Sequence, residues 1–319
     1  VPSPSRCLTA GDAFCFVRDL AVHEPTGAPR VGLELEWLTF PIPDHSGRVE
    51  LIELNAALDP LHGALPCGSR VTVEPGGQVE VSTPPCASVA DAIDAACADV
   101  GVVRGCLRSI GVEMVGAGLD RCRSPHRIVD SARYRAMEAY FDHGGPDGRT
   151  MMCNSASMQI NVDFDGDVGD AWRAANIAAS ILGARFSEPG PNRLDVWSRI
   201  DRTRTARVEG DNPGDAWAAY ALAARVMFIR QSPDECVPVL DGTTLAEWID
   251  RGHPLGWPTE ADLTEHLTTL FPPVRPRGWL EIRTIDALDD DRWPVAAELA
   301  AAMVLDGPER RAALELACR

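Results

Sequence analysis

The sequence predicts an α+β fold built on a largely antiparallel sheet. Hairpin signals are interleaved with helical blocks without a regular βαβα order, and four segments alternate apolar and polar residues along their length. Thr9 to Val22 has apolar residues at near-helical spacing behind a possible capping threonine, which predicts a first helix. VGLELEWLTF, Val31 to Phe40, alternates strictly and reads as a strand. RVTVE and QVEVS flank Pro-Gly-Gly, where glycine supplies the positive φ that hairpin turns need.

Ser88 caps a predicted helix that stops at Gly111, VEMVGAG reads as a strand and RYRAMEAYF as a short helix. SASMQINVDF, Ser155 to Phe164, is a long alternating strand. GDAWRAANIAASILG and PGDAWAAYALAARVMF are predicted helices separated by a polar stretch containing Pro and Gly. Another helix opens at TEAD, where Thr259 and Asp262 form a capping pattern, and is predicted to reach Phe271. The strand RGWLEIRTIDAL follows, and the chain closes in Ala-rich helix, including WPVAAELAAAMVLDG.

Side chains of a strand point alternately to opposite faces, so each strand sorts into two sets. Val31, Leu33, Leu35 and Trp37 oppose Glu34 and Glu36. Val79 and Val81 oppose Gln78, Glu80 and Ser82, and Glu74 shares a face with Thr72. Met158, Ile160 and Val162 oppose Ser157, Gln159, Asn161 and Asp163, and Leu280 and Ile282 oppose Glu281 and Arg283. A sheet packed on helices with its other face in water would give the same alternation. The composition of the polar set argues otherwise, because it gathers Glu34, Glu36, Glu74, Glu80 and Glu281 with only Arg283 as cation. Like charges on neighbouring strands repel unless something neutralises them, and Mg²⁺ prefers such oxygen ligands. A carboxylate floor with one guanidinium suits phosphoryl transfer.

Composition narrows the function further. The 319 residues are 45% hydrophobic and 24% charged, ordinary for a globular chain, and the formal charge of -17 disfavours broad binding to nucleic acid or anionic membrane. No apolar run is long enough to span a bilayer and the start VPSPSRCLTA lacks signal-peptide features, so a cytoplasmic location is expected. Ten cysteines show no CxxC spacing, which speaks against a zinc site. Most read as buried thiols, while Cys7 and Cys15 are near enough in sequence to form a disulfide. Neither GxxxxGK[ST] nor GxGxxG is present, and no Ser-His-Asp grouping stands out. His62, His126 and His143 sit near turn residues, where surface or hydrogen-bonded roles account for them.

GLELEW, VEPGGQVEVSTPP, RYRAMEAYF, MMCNSASMQINVDF and LTTLFPPVRPRGWLEIRTIDAL together resemble the glutamate-cysteine ligases of the plant and actinobacterial type, in the glutamine-synthetase-like superfamily. The pieces occur in family order from about Gly32 to Asp306, and the actinobacterial branch serving ergothioneine synthesis is the most similar in the RPRGWLEIRTIDAL block. The resemblance implies a saddle-shaped antiparallel sheet with helices on its outer face, and residues 1–319 as one catalytic domain. It implies ATP, two or three Mg²⁺, L-glutamate and L-cysteine on the concave face, and no nucleic-acid or membrane partner. Carried over by position, Glu34, Glu36, Glu74, Glu80, Gln159 and Glu281 are the expected metal ligands. Arg283 is the expected catalytic contact to the transferring phosphate, and Arg193, Gln78 and Asn161 the expected substrate contacts. The family's Ala-Asn-Ser-Pro segment between Gly183 and NRLDVW is missing here. A related ligase with another amine or acid, or a non-catalytic sensor of nucleotide or glutamate, fits the same sheet motifs.

Overall fold

The computed structural model describes residues 8–23 and 27–317, so the Cys7–Cys15 pairing lies partly outside the described residues. In chain order the elements are α1 (Ala10–Ala21), β1 (Val31–Pro41), α2 (Leu51–Leu58), β2 (Arg70–Val73), β3 (Val79–Ser82), α3 (Val89–Ser109) and β4 (Val112–Val115). Then come α4 (Ala132–Gly144), α5 (Pro146–Asn154), β5 (Ser157–Asp163), α6 (Val168–Arg185), α7 (Arg193–Arg199), α8 (Arg202–Thr205) and α9 (Pro213–Ala223). The last are β6 (Phe228–Ser232), β7 (Glu235–Pro238), α10 (Leu245–Arg251), α11 (Glu260–Leu267), β8 (Val274–Pro276), β9 (Trp279–Asp286), α12 (Trp293–Val304) and α13 (Pro308–Ala317).

Among the described residues seven strands form one sheet in the order β2–β3–β1–β5–β9–β8, with β4 paired to the far end of β1, and each of these strand pairs is antiparallel. Leu33, Leu35, Val79, Val81, Met158, Ile160, Leu280 and Ile282 are all buried in one core, against which α3, α6 and α12 pack. Each such side chain contributes roughly 1.5–3 kcal/mol on leaving water. That drive fixes register, since a slip of one residue would turn the whole apolar set to the other face. Thr9, Ser88 and Thr259 cap their helices as predicted, accepting from the backbone N–H of Asp12, Asp91 and Asp262.

Two predicted helices end early. The helix predicted through Phe228 stops at Ala223, because Val226 pairs its N–H with Thr243 and the β-branched and aromatic run beyond it forms β6, which hairpins with β7. The helix predicted to reach Phe271 stops at Leu267. There the Thr268 and Thr269 hydroxyls donate to the Glu265 and His266 carbonyls, and Pro272 and Pro273 follow. Where the family's Ala-Asn-Ser-Pro segment was expected, the loop from Phe186 to Asn192 joins α6 directly to α7. Among the described residues no helix is long and apolar enough to cross a membrane.

Candidate active site

Strand register assembles the polar face into rungs. Glu80 on β3 lies opposite Thr72 of β2 on one side and Glu36 of β1 on the other. Glu34, two residues back along β1, lies opposite Ser82 and Gln159. Asn161 on β5 faces Gly32 and Glu281, and Glu281 faces Arg275 of β8. The hairpin carrying Glu74 turns through Pro75, Gly76 and Gly77. Gly77 has φ +94°, and a Cβ on Gly76 would lie 1.9 Å from the Cys153 carbonyl oxygen, so both positions require glycine.

Hydrogen bonds then orient the acids. Glu36 accepts from the Ser157 backbone N–H at 2.7 Å and from Gln159 Nε2 at 3.3 Å, and Glu34 accepts from Asn161 Nδ2 at 3.1 Å. Trp279 Nε1 donates to Asn161 Oδ1 at 2.8 Å, which fixes which end of that amide faces Glu34. Glu80 accepts from Ser82 Oγ at 2.8 Å and Thr72 Oγ1 at 3.3 Å. Among the described residues the Glu74 carboxylate has no hydrogen-bond partner.

The expectation that Arg283 is the sole cation of this face is corrected by β8. Arg275 makes a bidentate pair with Glu281 at 2.5 and 2.9 Å, Arg277 adds a bond at 3.1 Å, and Arg283 Nη1 another at 3.0 Å. Arg283 Nη1 also donates to Gln159 Oε1, while its Nε is buried without a partner. The signal for these extra arginines was present in FPPVRPR, but a three-residue strand is too short to show a period.

Two open cavities lie along the face. One, of about 780 Å³, is lined by Glu36, Glu74, Arg193, Arg283, Trp197 and Tyr134, with Met137, Met151, Met152 and Phe271 as its apolar wall. The other, of about 910 Å³, is lined by Glu34, Asn161, Asp163, Arg30, Arg70 and Trp279. Arg193 enters the first from α7. Its Nε donates to Asp286 at 3.0 Å and its Nη2 to the carbonyls of Arg283 and Ile285, leaving Nη1 without a partner among the described residues. Gln78 also borders this cavity, but both ends of its amide are engaged: Oε1 accepts from the Gly76 N–H and Nε2 donates to the Ser155 carbonyl at 2.7 Å. It braces the hairpin against the junction of α5 and β5.

The electrostatics divide the acids. Burial first, then repulsion from Glu281 and Glu80, pushes the Glu34 carboxyl up to about 7, against the pull of Arg283 and Asn161. Burial, then Glu80, Glu36 and Glu34, pushes Glu74 up to about 8. Burial also raises Glu36 and Glu80. Burial opposes ionisation of Glu281 too, but Arg275, then Arg283 and Arg277, hold it well below the usual carboxylate range. Four acids therefore sit where charge is poorly compensated, and a fifth is fully paired. Among the described residues no three His, Cys, Asp or Glu side chains converge on one point as a metal site would require.

Sequence reasoning passed over Tyr134, Trp197, Trp279 and the methionines of the cavity wall. RYRAMEAYF and NRLDVW contain the first two, but only the folded chain brings α4 and α7 over the sheet.

A profile described as glutamate-cysteine ligase family 2 (GCS2) matches residues 30–317. The chain is 42% identical over 308 residues to a protein named glutamate–cysteine ligase EgtA from Mycobacterium tuberculosis (strain ATCC 25618 / H37Rv), covering 90% of this chain and 70% of that one. It is 41% identical over 298 residues to the protein of the same name from Mycolicibacterium smegmatis, covering 88% and 70%. Against a chloroplastic glutamate–cysteine ligase of Arabidopsis thaliana the identity is 28% over 243 residues, covering 68% and 45%. Among solved structures, a glutamine synthase homolog has a TM-score of 0.39 at 13% identity, covering 95% of this chain and 59% of that one. A bifunctional glutathione synthetase from Pasteurella multocida has 0.42 at 11%, covering 96% and 41%. These two likenesses are too distant to carry a statement about this chain.

Proposed function

The chain belongs to glutamate-cysteine ligase family 2, and from that premise we propose that it joins the γ-carboxylate of L-glutamate to the amine of L-cysteine at the expense of ATP. The product, γ-glutamylcysteine, would feed ergothioneine synthesis. The observation that carries the reading is the placement of Glu34 and Glu36 at two different cavities, with Arg283 coupled in charge to both.

In this reading the cavity of Trp279, Arg30 and Arg70 takes the nucleotide, whose base has an indole to stack on and whose phosphates have cations nearby. The cavity of Arg193 takes the amino acids. The unpartnered Nη1 of Arg193 is suited to the glutamate α-carboxylate, and Met137, Met151 and Met152 give the cysteine side chain a soft, apolar wall.

The acids fit Mg²⁺. Glu74 has no partner, and burial and mutual repulsion raise Glu34, Glu36, Glu74 and Glu80 together, a cost that a hard cation removes. By charge proximity Glu36, Glu74 and Glu80, with Glu34 beside them, are the acids that would draw together around Mg²⁺, whereas Glu281, paired with three arginines, and Gln159, whose Oε1 accepts from Arg283, are engaged elsewhere and do not serve as the expected ligands. Bound there, Mg²⁺ would neutralise the phosphate oxygens as charge develops on them. Arg283 offers its Nη2, which has no partner among the described residues, to the transferring phosphoryl group while Glu281 and Gln159 hold Nη1 in place. The glutamate γ-carboxylate attacks the γ-phosphorus and ADP leaves. The cysteine amine then attacks the resulting γ-glutamyl phosphate, releasing inorganic phosphate. No protein nucleophile is needed.

The test is ADP release with glutamate, set against a panel of amines, with mass detection of the product. Wild-type protein should release ADP with L-cysteine and form γ-glutamylcysteine, and Arg283→Ala should lower kcat by about 100- to 1,000-fold. Preference for another amine would reassign the substrate, and unchanged turnover in Arg283→Ala would overturn the site.

A further inference from the structure

Trp197 lies outside the sheet yet touches both arginines of the amino-acid cavity. The Arg193 guanidinium lies 4.9 Å from its ring centroid and that of Arg283 lies 5.8 Å away. Arg193 and Trp197 are four residues apart on α7, so they share one helix face. The indole is 6% exposed, and its Nε1–H is buried without an acceptor. On its far side is a separate cavity of about 760 Å³ between α6, α7 and α8, which Arg202 and Arg207 also line. Trp197 is thus the partition between that space and the candidate active site.

A tryptophan held only for packing would be expected to satisfy its indole N–H, since a buried donor without a partner is destabilising. What the ring does offer is the strongest π-face of any side chain, presented to two cations. The two guanidinium groups repel each other, and a shared aromatic surface holds both while leaving Arg193 Nη1 and Arg283 Nη2, each without a partner among the described residues, free for anionic ligands. Arg193 is anchored to the backbone of β9 through the carbonyls of residues 283 and 285, so the ring bridges a helix-borne cation and a strand-borne one.

We propose that Trp197 is a positioning residue, holding Arg193 and Arg283 in the orientation in which one takes the substrate carboxylate and the other the transferring phosphate. This rests on the ligase reading above. Trp197→Phe keeps the partition but weakens the π-face and removes the unsatisfied N–H. Its thermal stability should equal or exceed that of the wild type, while KM for glutamate rises and kcat falls, each by about 2- to 5-fold, the equivalent of one cation–π contact. KM for ATP, bound at the other cavity, should stay unchanged. Trp197→Leu should show larger effects in the same direction, with Trp197→Phe a partial rescue.

Crystal structures of wild-type, Trp197→Phe and Trp197→Leu proteins without substrates provide an arm independent of turnover. The Arg193 and Arg283 guanidinium groups should shift in the leucine variant and remain near their wild-type places in the phenylalanine variant. Unmoved guanidinium groups in Trp197→Leu would overturn the proposal, as would a glutamate KM and kcat unchanged in Trp197→Phe. A wild-type protein that fails to release ADP with any amine would instead overturn the ligase reading. The crystal structures would still decide whether Trp197 positions the arginines.

Discussion

Glu34 and Glu36 stand two residues apart on β1, on the same face of the sheet, and line different cavities: Glu34 borders the one at Trp279, Glu36 the one at Trp197. A strand advances about 6.6 Å over two residues, enough to separate two ligand groups while keeping both acids within range of one guanidinium. Arg283 is that guanidinium, and both acids act on it.

This separation predicts different kinetic signatures. Glu34→Gln and Glu36→Gln should each reduce ADP release by about 100-fold or more. Glu34→Gln should also raise KM for ATP, and Glu36→Gln KM for glutamate. Identical KM changes in the two variants would show that the cavities do not divide the substrates.

His266 should weaken the fold in mild acid, against the raised carboxyls Glu34 and Glu74, which take up protons in the native state and add stability over the same range. Its ring is buried beside Arg204, with Nε2 3.0 Å from the Ala221 carbonyl, and burial followed by Arg204 pushes its pKa down to about 3. The unfolded chain takes up this proton below about pH 6.5 whereas the native state resists it until about pH 3, so stability is present above the unfolded value and lost as pH falls. Between pH 7 and pH 5 the contribution of His266 to this loss is about 2 kcal/mol. Urea unfolding at the two pH values should show it as a difference between variants: relative to the wild type, His266→Gln should gain about 2 kcal/mol between pH 7 and pH 5. Equal slopes would exclude His266 as the cause.

Arg204 should matter for stability and much less for chemistry. It is fully buried, pairs with Asp201 at 3.1 Å and donates to Thr269, to Tyr140 Oη and to the Arg225 carbonyl. Arg204→Ala strands Asp201 and two carbonyls, at a cost of roughly 3–5 kcal/mol. Tyr140→Phe, which removes one bond to Asp201, should cost only about 1 kcal/mol. Chemical denaturation of both variants would rank them, and a loss under about 1 kcal/mol for Arg204→Ala would contradict the network.

Two glycines should respond in opposite ways to alanine. Gly76→Ala drives a methyl into the Cys153 carbonyl, which should destabilise the protein by about 1–3 kcal/mol and disturb the neighbouring Glu74. Gly101, on α3, has open space around its Cβ position, and Gly101→Ala should stabilise by up to about 1 kcal/mol through helix propensity. Melting temperatures moving in the same direction would refute the contrast.

The sequence by itself determined which residues share the polar face. Side-chain direction along a strand is a local property of the backbone, so alternation in β1, β3, β5 and β9 was enough to set Glu34, Glu36, Glu80, Gln159, Asn161, Glu281 and Arg283 opposite the apolar core. It also determined the turn at Gly76 and Gly77. Only the tertiary structure decided what each polar group meets. Glu281 is neutralised by Arg275 and Arg277 because β8 pairs with β9. Gln78 is turned into the hairpin brace by contact with Ser155, and Trp197 reaches the two arginines because α7 docks on β9. Charge compensation, hydrogen-bond partners and cavity walls come from residues distant along the chain, and local periodicity carries no information about such neighbours.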